Sequence, residues 1–564
     1  MTTALDGFFD TLYWTRPVDA TFIGAHEHDA EWPDWSPSGH ESQKAAWQDV
    51  RRSLDGSALP DAEAISSGDW SLIDVALARS HCDTSLAELE SAHFTRGNPS
   101  LTTGEAAFGV IGLITRGYAP AGEGASVLVQ RLDRLPDFLA GAMASLRSAR
   151  LPRYWRERAI TEGEATVRLL EEGVPRWCQA MSIGSGQSDT IREAAQRALR
   201  GVHSFIGGLR QLPAADADAA SCGEELLALC VKRGHWIDRP LDDLLGEAVD
   251  RFRHERARLD AKVRATGSRH FAEVQERLAS RHPAPQGYYA AFGKAWEACR
   301  NLSVEQQLVT WPDAPIRYVP IPEWTRMAAP SLYYLYYRSP APHEPWGAHE
   351  YVVPPLDGLD GAEAIEAHLR LWNDSVIKLN HVVHHGALGH HVQNWHAHRS
   401  PSRIGRVAAT DCASRVAMIQ GGSMAEGWAC YATDLMEEAG FLTADEAVAE
   451  QHTRVRLLAR AINDLEFHRD RRSFTEAVRF YAEEAGVSRS AAHAEAVKNS
   501  MFPGTAMMYW LGTQGIHDLK REVAALMGST FDLRAFHDAL LSTGSIPVAV
   551  NARLMLQRSH HATR

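Results

Sequence analysis

The chain has 564 residues, 45% of them hydrophobic, and its 58 basic and 71 acidic side chains give a formal net charge of −13. This hydrophobic fraction is sufficient for large cores and excludes an intrinsically disordered chain. The acidic balance argues against nucleic acid as a partner, because nucleic-acid binding requires a basic surface.

The sequence also bears on compartment and membrane contact. No apolar run approaches the roughly 20 residues that a membrane span requires. The first residues, MTTALDGFFDTLYW, include two aspartates where a signal peptide has basic and then apolar residues. The seven cysteines are odd in number and form no CxxC pair. We therefore expect a reduced, cytoplasmic protein without a membrane partner.

The first half of the chain is predicted to be helical. Residues 1–150 are typical of short helices separated by loops rich in Gly and Pro. Residues 150–310 show helical spacing of apolar side chains, with Arg and Glu on the exposed faces. We expect residues 1–310 to form an N-terminal helical region.

The sequence changes character at residues 311–355. Three short segments there, IRYVPIP, SLYYLYYRS and HEYVVPP, are rich in Tyr, Val and Ile and carry Pro at their edges. They predict a small β-sheet of three strands. We expect residues 311–564 to combine this sheet with a second helical region, packed with residues 1–310 as one continuous body around a central cavity.

Two helices of this second region are predicted in detail. The first covers residues 361–385, because its apolar side chains recur at helical spacing. The second covers residues 423–438, with Ser423 as its N-cap and Gly440 as its C-terminal stop. The overall prediction is a mainly α protein with a small sheet beside one motif-bearing helix.

That motif is a cluster of histidines. Seven of the 27 histidines lie in residues 381–398, HVVHHGALGHHVQNWHAH. Two glycines between the histidine pairs weaken the helix, and a bend there would bring His390 or His391 back toward His384. Because neutral imidazole is the commonest transition-metal ligand, the cluster indicates a zinc-like site. The alternative is a set of core and surface histidines with ordinary partners.

A third ligand is expected from another part of the chain. Glu426, in MAEGWACYATDLMEE, is the leading candidate because it lies in the first turn of a predicted helix and has the small neighbours Gly427 and Ala429. The alternative role of Glu426 is that of a helix-N-terminal acid, favoured by the helix dipole.

Several motifs in this order resemble the bacterial family known as domain of unknown function 885. They are RPVDATFIGAHEHDAEWPD, PIRYVPIPEW, HHGALGHHVQ, EGWACYATDLMEEAG, FPGTAMMYWLG and FDLRAFHDALLSTGSIP. The resemblance covers nearly the whole chain. It implies a large helical body like that of zinc metallopeptidases whose third metal ligand is a glutamate.

The resemblance assigns roles to individual residues. It implies a zinc ion or other divalent metal bound by His384, His390 and Glu426, with His391 as the alternate to His390. The family pattern HEGYPGHHLQ, however, has a glutamate where this chain has His385. In such peptidases that glutamate takes the proton from metal-bound water. His385 is therefore a replacement base, an extra ligand or a supporting residue, and the sequence leaves these roles open.

A second departure lies near the C terminus, where the family's Arg-Tyr pair is replaced by Lys498-Asn499. A tyrosine there would stabilise an oxyanion, whereas asparagine donates a weaker hydrogen bond. Tyr509 and His517 lie in the family's closing motif and are expected to face the same cavity, with core packing as the alternative. The candidate catalytic residues are His385, Lys498, Asn499 and Tyr509.

Further side chains are candidates for substrate binding. Arg403 and Arg406 would form an anion-binding patch, although arginine is abundant and a solvated surface is the alternative. Tyr334, in the tyrosine-rich strand, is expected to line the cleft, and His517 is the fourth candidate. Cys430 shares a helix face with Glu426 and is interpreted as a small buried side chain rather than a nucleophile.

Three functions are consistent with these features. The favoured one is a divergent enzyme that acts on a small polar molecule by hydrolysis, elimination or intramolecular cyclisation, as in specialised metabolism. The second is a zinc-dependent peptidase or amidase with His385 as base. The third is a non-catalytic scaffold or partner subunit. The expected partners are a small-molecule substrate and either a second copy of the chain or a small protein.

Overall fold

The protein is described by a computed structural model that covers residues 4–56, 59–115, 121–332, 336–337, 339–408, 410 and 420–562. It is mainly α with a small sheet beside the motif helix, as the sequence predicted, but the described residues form two two-stranded sheets instead of one sheet of three strands. The first fifteen α-helices are Ala4–Thr15 (α1), Pro17–Ile23 (α2), Pro37–Asp55 (α3), Asp61–Ser67 (α4), Trp70–Glu90 (α5), Phe94–Gly97 (α6), Pro99–Thr115 (α7), Ala121–Leu146 (α8), Arg153–Arg168 (α9), Val174–Ala180 (α10), Ser185–Gln211 (α11), Glu224–Leu229 (α12), Leu241–Ala265 (α13), Phe271–Ala279 (α14) and Tyr288–Glu305 (α15).

The α-helices that follow the second sheet carry the predicted motifs. They are Gly361–Leu371 (α16), Asp374–Val376 (α17), His390–Ala397 (α18), Arg403–Val407 (α19), Gly422–Glu438 (α20), Ala444–Phe467 (α21), Phe474–Arg479 (α22), Arg489–Met501 (α23), Met508–Met527 (α24), Leu533–Ser542 (α25) and Val548–Ala562 (α26). Wider π-helical segments interrupt the α-helical pattern at Leu169–Gly173, Cys230–Gly234, Ile377–Gly386 and Phe480–Glu484.

Both sheets are parallel pairs. The first joins Leu151–Pro152 (β1) to Ala214–Ala215 (β2). The second joins Ile316–Pro320 (β3) to His349–Val353 (β4), with Tyr318 opposite Tyr351. These last two strands are the first and third of the three that the sequence predicted.

The middle predicted strand, SLYYLYYRS, lies partly outside the described residues. Within the described part, Tyr337 forms a single antiparallel bridge with Tyr351 of β4. The sheet packs beside the histidine segment, where the Tyr351 hydroxyl lies 2.5 Å from Nδ1 of His381. It therefore supports the helix from which the candidate site is built.

The helix predicted over residues 361–385 is not continuous. It ends at Leu371, and a new turn begins after Asn373, whose side-chain oxygen accepts a hydrogen bond from the backbone N–H of Val376 at 3.1 Å. Asparagine is a favoured N-cap because its side chain satisfies such an otherwise unpaired N–H group. The apolar spacing continued through this break and so did not reveal it.

The second predicted helix is α20, and its C-terminal stop is confirmed. Gly440 has a φ of +76°, the left-handed conformation in which glycine commonly ends a helix. Ser423, however, is not the N-cap. The helix begins at Gly422, and the Ser423 hydroxyl accepts a hydrogen bond from the N–H of Val548 instead.

Helices α20 and α24 approach each other closely because glycines face each other where they cross. A Cβ at Gly427 would lie 2.5 Å from the backbone of Gly512, and a Cβ at Gly512 would collide with the Ser423 carbonyl. No side chain separates the two backbones at this point. The first turn of α20, which carries Glu426, is therefore held firmly against α24.

Four clusters of buried apolar side chains form the interior. Each cluster combines residues from both sides of position 310, such as Val18 with Val352 and Leu5 with Leu554. The division into residues 1–310 and 311–564 stays a prediction. Among the helices of the described ranges, none has both the length and the apolar character needed to cross a bilayer.

Candidate metal centre

A tight reversal of the backbone brings two histidines of the cluster together. The π-helical segment ends at Gly386, and α18 begins only four residues later at His390. The N–H of Gly389 donates to the carbonyl of Val383 at 2.8 Å. A Cβ at Gly389 would overlap the His384 carbonyl, so only glycine permits this approach.

The reversal places the imidazoles of His384 and His390 face to edge, with ring centroids 5.0 Å apart. Helix α20 is fastened to the same turn, because the indole N–H of Trp428 donates to the Leu388 carbonyl at 2.9 Å. Glu426 lies two residues before this tryptophan. Both histidines and Glu426 are thereby positioned by backbone geometry.

The two imidazoles converge on one carboxylate oxygen. Nε2 of His384 lies 3.3 Å from Oε2 of Glu426, and Nε2 of His390 lies 3.7 Å from the same oxygen. This oxygen is buried and has no hydrogen-bond partner among the described residues. Ligands about 2.1 Å from a tetrahedral zinc ion are about 3.4 Å from one another, which matches these separations better than hydrogen bonding does.

The protonation states favoured by the site are those of metal ligands. Burial is the main influence on His384 and lowers its pKa, although Glu426 opposes the shift. Burial raises the pKa of Glu426, but its contacts with His384 and His390 outweigh burial and hold that pKa well below the usual range. Neutral imidazoles and an ionised carboxylate are the forms that bind a divalent cation.

His385 presents a third imidazole to the same region. Its Nδ1 donates to the carbonyl of Asn380 at 2.6 Å, which leaves the lone pair on Nε2. One ligand atom from each of His384, His385 and His390 lies within 4.8 Å of the others. Burial, together with the two neighbouring histidines, lowers the pKa of His385 well below 6.5. His385 is therefore a neutral hydrogen-bond acceptor and a weak base.

His391 has a different environment from His390. Its Nε2 lies 2.8 Å from the Ala314 carbonyl and its Nδ1 lies 3.1 Å from the Tyr337 hydroxyl. Both ring nitrogens are thus used within the core, and burial lowers the pKa of His391 to about 4. His390, and not the alternate His391, is the histidine that approaches Glu426.

Lys498, a candidate catalytic residue, lies near Glu426 together with two arginines that were not anticipated from the sequence. Arg456 and Arg460 occupy one face of α21, and Lys498 lies on α23. Burial, followed by the charge of Arg460, lowers the pKa of Lys498 to about 8, against the opposing charges of Glu495 and Glu426. In the sequence, Arg456 and Arg460 are two charges on an otherwise apolar face of a helix. Because arginine is abundant throughout the chain, this pattern did not distinguish them.

Tyr509, a candidate from the closing motif, lies beside one of these arginines. The guanidinium of Arg460 lies 5.0 Å from the centre of its ring. Burial is the main reason that the pKa of Tyr509 is raised, and the nearby charge of Glu426 adds to the shift. The phenol therefore remains protonated and can donate a hydrogen bond.

Tyr509 and His517 also line a common cavity of about 540 Å³, together with Cys430. Nε2 of His517 lies 2.8 Å from Oδ2 of Asp434, so this histidine belongs to the ion pairs on the cavity wall. Burial raises the pKa of Cys430 well above its ordinary value, followed by the effect of Glu426. Cys430 is thus a poor nucleophile.

Asn499, a candidate catalytic residue, serves the core in this structure. Its side-chain oxygen accepts a hydrogen bond from Tyr481, and its side-chain nitrogen donates to the Arg460 carbonyl at 3.1 Å. Its backbone carbonyl lies 3.1 Å from Nε2 of His468. Of the pair that replaces the family's Arg-Tyr, Lys498 lies near Glu426, whereas the amide of Asn499 holds α23 in place.

The predicted substrate-binding arginines lie in another part of the fold. The guanidinium of Arg403 binds Asp6 at 2.8 Å and covers the ring of Phe9. Arg406 lies on the same short helix, where its charge acts on Tyr13 and His343. These contacts join α19 to α1 and not to the histidine cluster. Tyr334, the remaining candidate, lies outside the described residues.

Fold and site together define a mainly α protein in which two histidines and a glutamate converge beside a cationic wall. The chain belongs to the family described as bacterial protein of unknown function (DUF885), whose model matches residues 17–555. No curated protein matches the chain.

Two solved structures share the fold. One, from Shewanella oneidensis, is described as "a putative lipoprotein of unknown function"; it has a TM-score of 0.75 and 20% identity, over 98% of this chain and 99% of that one. The other is "the putative lipoprotein from Colwellia psychrerythraea", with a TM-score of 0.74 and 14% identity over the full length of both chains.

These descriptions correct one expectation from the sequence. The predicted cytoplasmic location is contradicted, because both structural neighbours are described as lipoproteins. That prediction depended on unpaired cysteines, on the lack of a long apolar run and on first residues unlike those of a signal peptide. The six cysteines within the described ranges are indeed free, but free thiols report on disulfide chemistry and do not by themselves define a compartment.

Proposed function

We propose that this protein is a metal-dependent enzyme that acts on a small polar molecule, with His384, His390 and Glu426 as ligands of a divalent cation such as zinc. The observation that supports it most directly is the approach of two Nε2 atoms, at 3.3 and 3.7 Å, to one buried carboxylate oxygen. Such an arrangement lacks good hydrogen bonds but has the ligand spacing of a tetrahedral site.

The bound cation would act as a Lewis acid toward an oxygen atom of the substrate. The protein side chains would bind and orient the substrate around it. Tyr509 is protonated and lies close to Glu426, so its hydroxyl would donate a hydrogen bond to a negatively charged substrate oxygen. Nε2 of His385 would accept one from a substrate N–H or O–H group.

The state of His385 supports a small-molecule enzyme over a peptidase. General-base catalysis is most effective when the pKa of the base lies near the working pH, and burial lowers the pKa of His385 well below 6.5. The family's glutamate is absent at this position. Hydrolysis of an unactivated amide would therefore lack an effective base, whereas elimination, cyclisation or hydrolysis of a substrate with a good leaving group needs less assistance.

Metal analysis tests this proposal. Protein expressed with added zinc and purified without chelators is expected to contain one equivalent of metal, and His384→Ala and Glu426→Gln are expected to contain less than about a tenth of that. His203→Ala removes an exposed histidine of α11 and serves as the control with unchanged metal content. A metal-free wild-type protein would contradict the proposal.

A peptide library then separates the two enzymatic functions. The small-molecule proposal predicts no cleavage by the metal-loaded protein. Cleavage that is abolished in His384→Ala and strongly reduced in His385→Ala would instead establish a peptidase with His385 as base. Cleavage that persists in both variants would indicate a contaminating enzyme.

A further inference from the structure

Two arginines of helix α21 form ion pairs with the same carboxylate, one at short and one at long distance. Nε and Nη2 of Arg460 donate to the two carboxylate oxygens of Glu495 of α23, at 2.7 Å each. Arg456, one turn earlier, approaches the same carboxylate only to 3.8 Å. Because Arg460 already engages both oxygens of Glu495, the charge of Arg456 is only loosely compensated.

The side chain of Arg456 is partly buried and partly accessible. Burial lowers its pKa, followed by the effect of Arg460. Its Nε is buried and lacks a hydrogen-bond partner among the described residues, yet 38% of the side chain remains accessible. The protein encloses the Nε of Arg456, while other atoms of the side chain remain accessible to a ligand.

The charge of a neighbouring arginine on the same helix is balanced by two carboxylates. Arg454 pairs with both Asp434 and Glu437, the latter at 2.7 Å, and 17% of its side chain is accessible. These carboxylates also raise the pKa of Arg454 against the opposing effect of burial. The charges of Glu495 and Glu450 act on Arg456 as well, but among the described residues its ion pair is the long contact with Glu495 at 3.8 Å.

Arg456 lies one turn from Arg460 on the same face of α21. The guanidinium of Arg460 lies 5.0 Å from the centre of the Tyr509 ring, and Tyr509 lines a cavity with Cys430, which is one turn beyond Glu426 on α20. The charge of Arg456 also acts on His384. Lys498 and Arg460 add two further positive charges to this region, and the carboxylates that act on the three cations include Glu495, Glu450 and Glu426. A divalent cation bound by Glu426 would offset the charge of that carboxylate and leave the region positive.

We propose that Arg456, assisted by Lys498 and Tyr509, binds an oxyanion group of the substrate beside the histidine–glutamate cluster. The forked guanidinium matches the spacing of two oxygens of a carboxylate, phosphate or sulfate group. The inference deepens the proposed function and depends on it for the role of the neighbouring cation. It narrows the substrate class from small polar molecules to anionic ones.

Calorimetric titration of the full-length protein with inorganic phosphate, sulfate and acetate tests this subsite. At least one of the three is expected to bind, and Arg456→Gln is expected to raise its Kd by about 10-fold or more. Arg456→Lys keeps the charge without the fork and should give an intermediate value. Arg277→Gln is the matched control: Arg277 is 37% exposed and binds Asp445 far from the site.

The same titration in His384→Ala separates this inference from the proposed function. The subsite predicts that anion binding persists in this variant even when metal content is lost. Absence of binding by the wild type, or an equal Kd in Arg456→Gln, would overturn the inference. So would binding that disappears in His384→Ala but survives in Arg456→Gln, because the anion would then be bound by the metal. A metal-free wild type that still binds the anion through Arg456 would contradict only the proposed function.

Preference among the three anions identifies the group that is recognised. Tighter binding of phosphate and sulfate would indicate a tetrahedral substrate group, and tighter binding of acetate would indicate a carboxylate. Circular dichroism and thermal unfolding of each variant establish that it is folded, and the charge-retaining Arg456→Lys variant provides the comparison if Arg456→Gln is not.

Discussion

At the scale of single residues, adjacent residues of the chain make unrelated contacts. His390 approaches Glu426, whereas His391 connects the Ala314 carbonyl to the Tyr337 hydroxyl in the core. Likewise, Lys498 lies near Glu426, whereas the side chain of Asn499 forms hydrogen bonds in the core. The chemical identity of a side chain therefore indicates its function only together with the backbone direction at that position.

This contrast gives a prediction for His391. His391→Leu deprives the Ala314 carbonyl of its donor and removes the acceptor of the Tyr337 hydroxyl, so the free energy of unfolding should fall by roughly 2 kcal/mol or more. Metal content should be unchanged, because His391 is not among the converging residues. Urea denaturation and metal analysis measure the two effects. Loss of metal by a folded His391→Leu would show that the ligand assignment is wrong.

The sequence identified the converging residues but not their surroundings. His384, Glu426 and the choice between His390 and His391 followed from spacing and resemblance. The choice itself depended on the backbone at Gly389, whose ψ of −119° no residue pattern encodes. Arg456 and Arg460 were missed because three helices contribute to their environment, and the sequence does not show which helix faces meet.

At the scale of secondary-structure elements, the reversal between the π-helical segment and α18 creates the site. The prediction that glycines distort the helix between the histidine pairs agrees with this geometry. The single long helix over residues 361–385 was wrong because the Asn373 cap starts a new turn. Propensity and apolar spacing located the mainly α fold, whereas caps and backbone contacts determined where each helix ends.

Gly389→Ala tests the reversal. The added Cβ would overlap the His384 carbonyl and push α18 away, so the affinity for zinc should fall by about 10-fold or more while the helical content is retained. Gly207→Ala in α11 is the control. No atom lies within 4 Å of its added Cβ, and this substitution should stabilise the protein by roughly 0.5 kcal/mol. Zinc affinity is measured by competition with a chelator, and wild-type affinity in Gly389→Ala would refute the argument.

At the scale of the whole molecule, distant segments of the chain are tied together near the N terminus. His26 contacts Asp29 at 2.8 Å and Glu344 at 3.2 Å. The backbone N–H of His343 donates to the Ile23 carbonyl. Such contacts between the first helices and the segment before β4 agree with apolar clusters that each combine both halves of the chain.

His26 makes these contacts dependent on pH. Hydrogen bonds from its ring to Asp29 and Glu344 raise its pKa from 6.5 to about 9. A raised pKa in the folded state stabilises the protein fully below pH 6.5, and this contribution is lost as the pH rises through 9. Urea unfolding should therefore show a stability difference between wild type and His26→Gln at pH 6 that shrinks by pH 9.5.

The effect should be small, because 44% of the His26 side chain is accessible and solvent screens the ion pairs. His28→Gln provides the comparison, because the ion pair of His28 within the described ranges is with Glu31, three residues away. A stability difference for His26→Gln that grows with pH would contradict the assigned sign.

The close contact between Gly389 and the His384 carbonyl has an evolutionary consequence. The main chain fixes where His384 and His390 meet. The side chain of His385 can therefore be exchanged without moving either of these two histidines. Its own anchor, a hydrogen bond to the Asn380 carbonyl, belongs to its side chain alone. A chain that inherits this backbone can thus keep the pair that converges on Glu426 while residue 385 changes, and with it the contact that we propose for the substrate.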